Sequence, residues 1–407
     1  MFILKPLTDL RIASLWGAQL LSATGAEFYM VAVIWIASSI IGREAGYISG
    51  MQAAALFVGS LFGGIVTDRW RHSATMIAVS LIRAILLLVL SLASAFDAMS
   101  LPLLAITAGC VALATAVYDP ALQASLPILA PEPAKRHAVN GLFDATRRMA
   151  RIIGPSLIAL VNGLVPIGQF FTITAAAFML SALGVNRGLK GMNIPAPATG
   201  RGLSAALDAV SGGALAVRRH RLMYYALFAD FVGSAAWSMG LLLGMALYLR
   251  ATSASSLTDY GLMMTAYGIG NLAANIVLAG RCPKRPLLWL VTAKLTFGLG
   301  VMLMPFAPDR IWLMAFAAFA AVNGPFEHLA QLHIIQHDFP LQQIAQVYRL
   351  QICAASGGLL VGYLAAPSLF ALLGIGATIT MIGSVTLITG VIGLGLARRG
   401  RMDQHGP

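Results

Sequence analysis

Glu27 is a lone carboxyl in an apolar run, AQLLSATGAEFYMVAVIW, and Gln19 stands about two helical turns before it. An acid in such surroundings can take up and release a proton, or hold a polar group of a ligand, as water reaches it from one side or the other. The alternative is a Glu hydrogen-bonded to a neighbouring helix. Arg83 and Lys294 are isolated cations in two further apolar runs. Each could hold an anion or pair with an acid such as Glu27, and a structural ion pair is equally open. Asp230 and Glu327 form a second set of carboxyls, and His328 next to Glu327 makes that acid a plausible partner in proton handling. His333 and His337 have the i, i+4 spacing of a metal pair, but no third ligand lies nearby, so no metal is assigned. Trp237, with Phe28, Tyr29 and Tyr267, could line a site for an aromatic ligand or simply pack. No nucleophile with its base and no phosphate loop appears, which argues against an enzyme, and no cofactor is expected.

These groups matter because of the chain that holds them. Of its residues 58% are apolar and 10% charged, well outside the composition of a soluble domain. An ionisable group in mid-bilayer costs about 2.5 to 3.5 kcal/mol on insertion scales, so such groups usually face a cavity or a partner. The net charge of +12 could suggest nucleic acid. Its distribution points instead to a lipid bilayer: basic residues crowd into alternate gaps between apolar runs, and the other gaps hold only Arg43, Arg250 and Arg310. That asymmetry places both termini in the cytoplasm. Cys110, Cys282 and Cys353 show no pairing or metal spacing and are read as structural. The first apolar run is too long for a cleaved signal and is expected to persist as the first helix.

The runs predict an all-α membrane protein of twelve transmembrane helices, near 11–40, 45–66, 74–95, 101–130, 138–163, 166–187, 222–249, 257–280, 286–306, 310–337, 343–366 and 368–397. A six-helix bundle over 1–187 and another over 221–407, the latter ending in a short basic tail, flank a cytoplasmic linker, 188–220, with a surface helix near Leu203 to Val217. Sliding the chain by about 211 residues sets Ile65 and Val66 on Ile276 and Val277, and Arg83 on Lys294. A slide of about 205 lays Asp119-Pro120 over Gly324-Pro325. Parallel repeats of this kind predict two pseudo-symmetric halves with a substrate site near the midplane.

Between the second and third runs lies GGIVTDRWRHS, Gly63 to Ser73, a charged turn that must sit at a membrane face. Gly59, Gly63 and Gly64 precede it on one side of the incoming helix, where small residues let a neighbour approach. Gly64, Asp68 and Arg69, with Arg71 and His72 as further basic residues, resemble the loop between helices 2 and 3 of the major facilitator superfamily, although Arg71 stands where that family has a second Gly. The resemblance implies a gating latch, in which Asp119 would be the helix 4 acid that pairs with the loop. Gly141, Gly154 and Pro155 partly match the Gly-Pro motif on helix 5 of the superfamily's exporters, with Ile158 and Ala159 replacing its final glycines. Just before it, Asp144, Arg147, Arg148 and Arg151 suit either snorkelling at the interface or a basic lining for the inner mouth.

The first run, the latch loop, VYDPALQASLPILAPEPAKRHAVNG and the helix 5 motif together resemble the branch that holds the enterobactin exporter and macrolide-efflux-like proteins. That resemblance implies a proton-coupled antiporter, monomeric and multi-pass in the bacterial cytoplasmic (inner) membrane, that exports a siderophore or drug-like amphiphile by alternating access. Its proton-coupling groups would be Glu27, Glu327 and Asp230; its substrate groups Gln19, Glu27, Arg83, Trp237, Lys294 and Glu327. An importer of a small metabolite or a lysophospholipid flippase of the same fold is the alternative.

Overall fold

The computed structural model describes residues 6–67, 71–130, 132–190, 212–218, 220–254, 256–278, 281 and 283–398. They form helices α1 (Leu10–Ile41), α2 (Ala45–Thr67), α3 (His72–Ala95), α4 (Leu101–Leu129), α5 (Pro133–Val161) and α6 (Gln169–Leu189). After residues 212–217, a short helical stretch within the expected linker, come α7 (Arg221–Ala236), a π-helical segment (Trp237–Gly244), α8 (Met245–Thr252), α9 (Ser256–Leu278) and α10 (Pro286–Leu303). The last four are α11 (Arg310–Ala320), α12 (Asn323–His337), α13 (Leu341–Leu373) and α14 (Ile375–Arg398). Among the described residues, nine segments are long and apolar enough to cross a membrane. The charged first half of α5 and the break between α11 and α12 keep those two regions out of the nine. Pro195, Pro197 and Leu203 of the expected linker lie outside the described residues.

One expected boundary is misplaced. The chain does not turn at Pro367; α13 runs through it, and the turn falls at Gly374, whose φ of +84° suits a residue without a side chain. A proline withholds one backbone donor, which a membrane helix tolerates when neighbouring groups satisfy the freed carbonyl.

The chain groups into two compact units, Met1–Ile41 with Met51–Leu203, and Gly42–Gly50 with Ser204–Pro407. In the first, α1 packs along α6, α3 along both α6 and α4, and a core forms from Ile12, Leu15, Met76, Tyr118, Leu122 and Phe143. Water-driven burial does little between helices in lipid, so close backbone approach through small residues has to supply the packing. Gly184 and Gly188 do this on α6, where added Cβ atoms would lie 3.0 Å from the Ser14 carbonyl and 2.9 Å from that of Arg11. Gly59 plays the same part between α2 and α4, its absent Cβ 2.6 Å from that of Ala116. At the surface, Lys135 donates to Asp9 at 3.0 Å and holds that carboxyl below its ordinary range. In the second unit α10 packs against α14 in the same manner, where a Cβ added at Gly298 would lie 2.8 Å from the Gly383 carbonyl.

The break before α12 has a readable cause. Pro325 has no N–H for the Ala321 carbonyl four residues back. Asn271 of α9 supplies the missing donor, its Nδ2 lying 3.2 Å from that oxygen, and the Gly324 backbone is pressed against the same amide. Asn271→Ala is therefore expected to destabilise the protein by about 0.5 to 1.5 kcal/mol, the net worth of one hydrogen bond, since the Ala321 carbonyl still accepts from the Gly324 N–H at 3.3 Å. A thermal melt in detergent that matched the parent's would sink this account of the break.

Candidate functional site

In the second unit the buried charges meet. Lys294 on α10 is 0% exposed, and its Nζ lies 2.6 Å from Glu327 Oε1 on α12. Asp230 on α7 is an electrostatic neighbour of both, and Gln331 and Gln351 border the same carboxyl. Gln351 donates to Gln331 at 2.5 Å, tying α13 to α12. Gly233, one turn beyond Asp230, makes room for the ammonium: a Cβ at that position would collide with Lys294 Nζ. The result is two carboxyls and one ammonium enclosed by α7, α10, α12 and α13. With both acids ionised the group is one positive charge short of balance, so a proton or a cationic ligand completes it. Tyr225, five residues before Asp230, lies in the field of Glu327 and donates to the Thr389 carbonyl at 3.0 Å.

Glu327 thus pairs with Lys294, while His328, the neighbour expected to share its proton handling, stands at the next position on α12. Adjacent residues on a helix point about 100° apart, and His328 is exposed while Glu327 is buried. His333 and His337 stack on each other, ring centroids 4.1 Å apart. Trp237 opens the π-helical segment and packs on Tyr267, centroids 4.9 Å apart. A π-helical turn widens the helix locally and often marks a functional position.

In the first unit Glu27 on α1 faces α5. Its Cγ would lie 2.8 Å from a Cβ at Gly154, so the glycine provides the space the acid occupies. Arg151, one turn earlier on α5, is the cation whose field reaches Glu27. Pro155 follows, withholding the N–H that would bond the Arg151 carbonyl. Arg83 is placed elsewhere. It is 3% exposed, with its guanidinium carbon 4.7 Å from the Tyr118 ring centroid and 4.3 Å from that of Phe178. Cation–π contact with two desolvated rings accounts for a charge in that position. Gln19 is buried, its Oε1 without a hydrogen-bond partner among the described residues. Arg71 is exposed and caps α3, its carbonyl accepting from Thr75. Asp68 and Arg69 lie outside the described residues, as do the side-chain surroundings at Gly64, Asp119 and Gly141.

Long apolar helices that hold charged groups in their interior suit a membrane transporter. The chain belongs to the Major Facilitator Superfamily, whose sequence pattern matches residues 15–350. It is 29% identical over 360 residues to the multidrug efflux pump Tap of Mycobacterium tuberculosis (strain ATCC 25618 / H37Rv), covering 79% of this chain and 78% of the pump. The Tap pump of Mycobacterium bovis is similar to the same extent. Among solved structures, a POT family transporter in complex with a thioalcohol-conjugated peptide superposes with a TM-score of 0.75 at 12% identity, over 95% of this chain and 96% of that one. The nucleoside transporter NupG superposes with a TM-score of 0.74 at 11% identity, over 95% and 100%. At those identities the likeness is one of fold alone.

Proposed function

We propose that the chain is a proton-coupled exporter of small, drug-like amphiphiles in the bacterial cytoplasmic membrane, working as a monomer by alternating access. In this reading the halves 1–187 and 221–407 each cross the bilayer six times, the linker 188–220 and both termini are cytoplasmic, and the turn around Gly64, Asp68, Arg69, Arg71 and Asp119 is the latch. The observation that carries the reading is the cluster of Asp230, Lys294 and Glu327, because two acids around one base leave a place for one proton or one cationic group. Glu27, cradled by Gly154 and facing Arg151, is the corresponding titratable group of the first unit. Similarity to an efflux pump supports the outward direction.

The cargo follows from the same charges. A carboxylate-rich siderophore would need Arg83 or Lys294 available to it. Lys294 is engaged by Glu327, and Arg83 is enclosed by two rings. Neutral or cationic amphiphiles suit the second unit better, and Trp237 with Tyr267 offers them an aromatic surface.

The test is transport of ethidium, a lipophilic cation, by the purified chain in proteoliposomes under an imposed pH gradient, with loss of ethidium from whole cells as the second readout. Gradient-dependent movement that a protonophore abolishes is expected. Movement indifferent to the gradient would remove proton coupling, and none at all, paired with siderophore missing from the medium of cells lacking the chain, would restore the anionic cargo.

A further inference from the structure

Arg218, Arg221, Tyr224, Tyr225, Phe228 and Leu396 line a groove of about 450 Å³ at the start of α7. Arg221, Tyr224, Tyr225 and Phe228 follow the i, i+3, i+4, i+7 spacing of one helical face. Along that face the chemistry changes from charged to apolar. The two arginines stand at the helix start and are exposed. Tyr224 and Phe228 come next, 67% and 52% exposed, and Leu396 of α14 closes the far wall. Tyr225 forms the floor and is buried, its hydroxyl fixed on the Thr389 carbonyl. α7 begins one of the segments that are long and apolar enough to cross a membrane. The groove therefore straddles a membrane boundary, cationic at the polar end and open along the side that meets acyl chains.

We propose that this groove binds one anionic phospholipid, its phosphate between Arg218 and Arg221 and an acyl chain along Tyr224, Phe228 and Leu396. Charge complementarity selects the occupant. Among the described residues the neighbouring acid, Asp338, is held by His220 at 3.2 Å and the guanidiniums have no carboxylate of their own within ion-pair distance. Exposed aromatic side chains at the headgroup level are at home where one end of a site is wet and the other apolar. A soluble organic phosphate shares the headgroup chemistry but would leave the apolar wall uncovered. The assignment does not depend on what the chain transports.

Native mass spectrometry of the full chain in detergent, with equimolar phosphatidylglycerol and phosphatidylcholine, tests it. A single phosphatidylglycerol adduct is expected, with apparent affinity falling about thirtyfold in Arg218→Gln/Arg221→Gln, from a factor of roughly five for each guanidinium near a headgroup. Arg187→Gln/Arg281→Gln, which removes the same charge from two other exposed sites, should keep the adduct. All four arginines are exposed, so matched melting temperatures will separate a binding defect from a folding one. Equal loss in both double variants, equal retention of phosphatidylcholine, or displacement by glycerol phosphate alone would each overturn the proposal.

Discussion

Replacing Lys294 with Met is expected to lower folding stability by about 3 to 5 kcal/mol, because it leaves buried acid without its counter-charge, and to abolish transport. The ammonium is wholly enclosed, it contacts Glu327 at 2.6 Å, and Asp230 lies in its field. Without it the two carboxyls face each other, and the chain must protonate both, admit water or shift a helix. A hydrophobic side chain of similar length fills the space, so the loss is electrostatic and not a cavity effect. A second substitution separates the two roles. Lys294→Met/Glu327→Gln removes one of the two orphaned acids and with it their mutual repulsion, and should recover at least half of the lost melting temperature, while proton-driven transport stays absent. Gly233→Ala should act in the same direction as Lys294→Met with every charge retained, since its Cβ would displace the ammonium. A Lys294→Met variant melting within about 1 °C of the parent would show that the ion pair is not what holds α10 to α12.

The apolar runs marked the helices because a bilayer imposes one length and one composition on every segment that crosses it. Glu27, Lys294, Asp230 and Glu327 stood out for the same reason, as charges where charge is costly. Which of them meet was not readable, because partners on different helices leave no mark in spacing. Lys294 and Glu327 sit on helices whose facing sides are set by packing, and the internal repeat pointed only to Arg83 as the counterpart of Lys294. Repeat-related positions have diverged here, one cation resting between aromatic rings and the other in an ion pair. The two cradling glycines, Gly154 and Gly233, became meaningful only when a side chain from another helix was found in the space each leaves. Gly154 belongs to a family motif, whereas Gly233 belongs to none that the sequence shows. Arg151 stands by sequence with the charges at the head of α5, although its position one turn before Gly154 ties it to whatever that glycine faces. Pro325 carried a usable signal: a proline in a buried helix calls for a donor to the carbonyl four residues earlier, and a buried Asn on a neighbouring helix is a natural source.

Glu27→Gln is expected to leave the fold intact and to reduce gradient-driven transport by about tenfold or more, within the span usual for coupling between two ligands. The amide has the shape of the acid and can still hydrogen-bond, but it cannot exchange a proton. Ethidium binding should therefore persist while its dependence on the pH gradient disappears, and Glu27→Asp, which keeps a titratable group, should restore part of the coupling. Gly154→Ala is the companion test. It retains the carboxyl but forces Glu27 of α1 off its place against α5, so transport should fall although nothing titratable has been lost. Together the variants distinguish a carboxyl that must titrate where it stands from one that merely braces α1 against α5. In the bracing case Glu27→Gln would transport normally and only Gly154→Ala would fail, which would leave Asp230 and Glu327 as the groups through which protons drive the cycle.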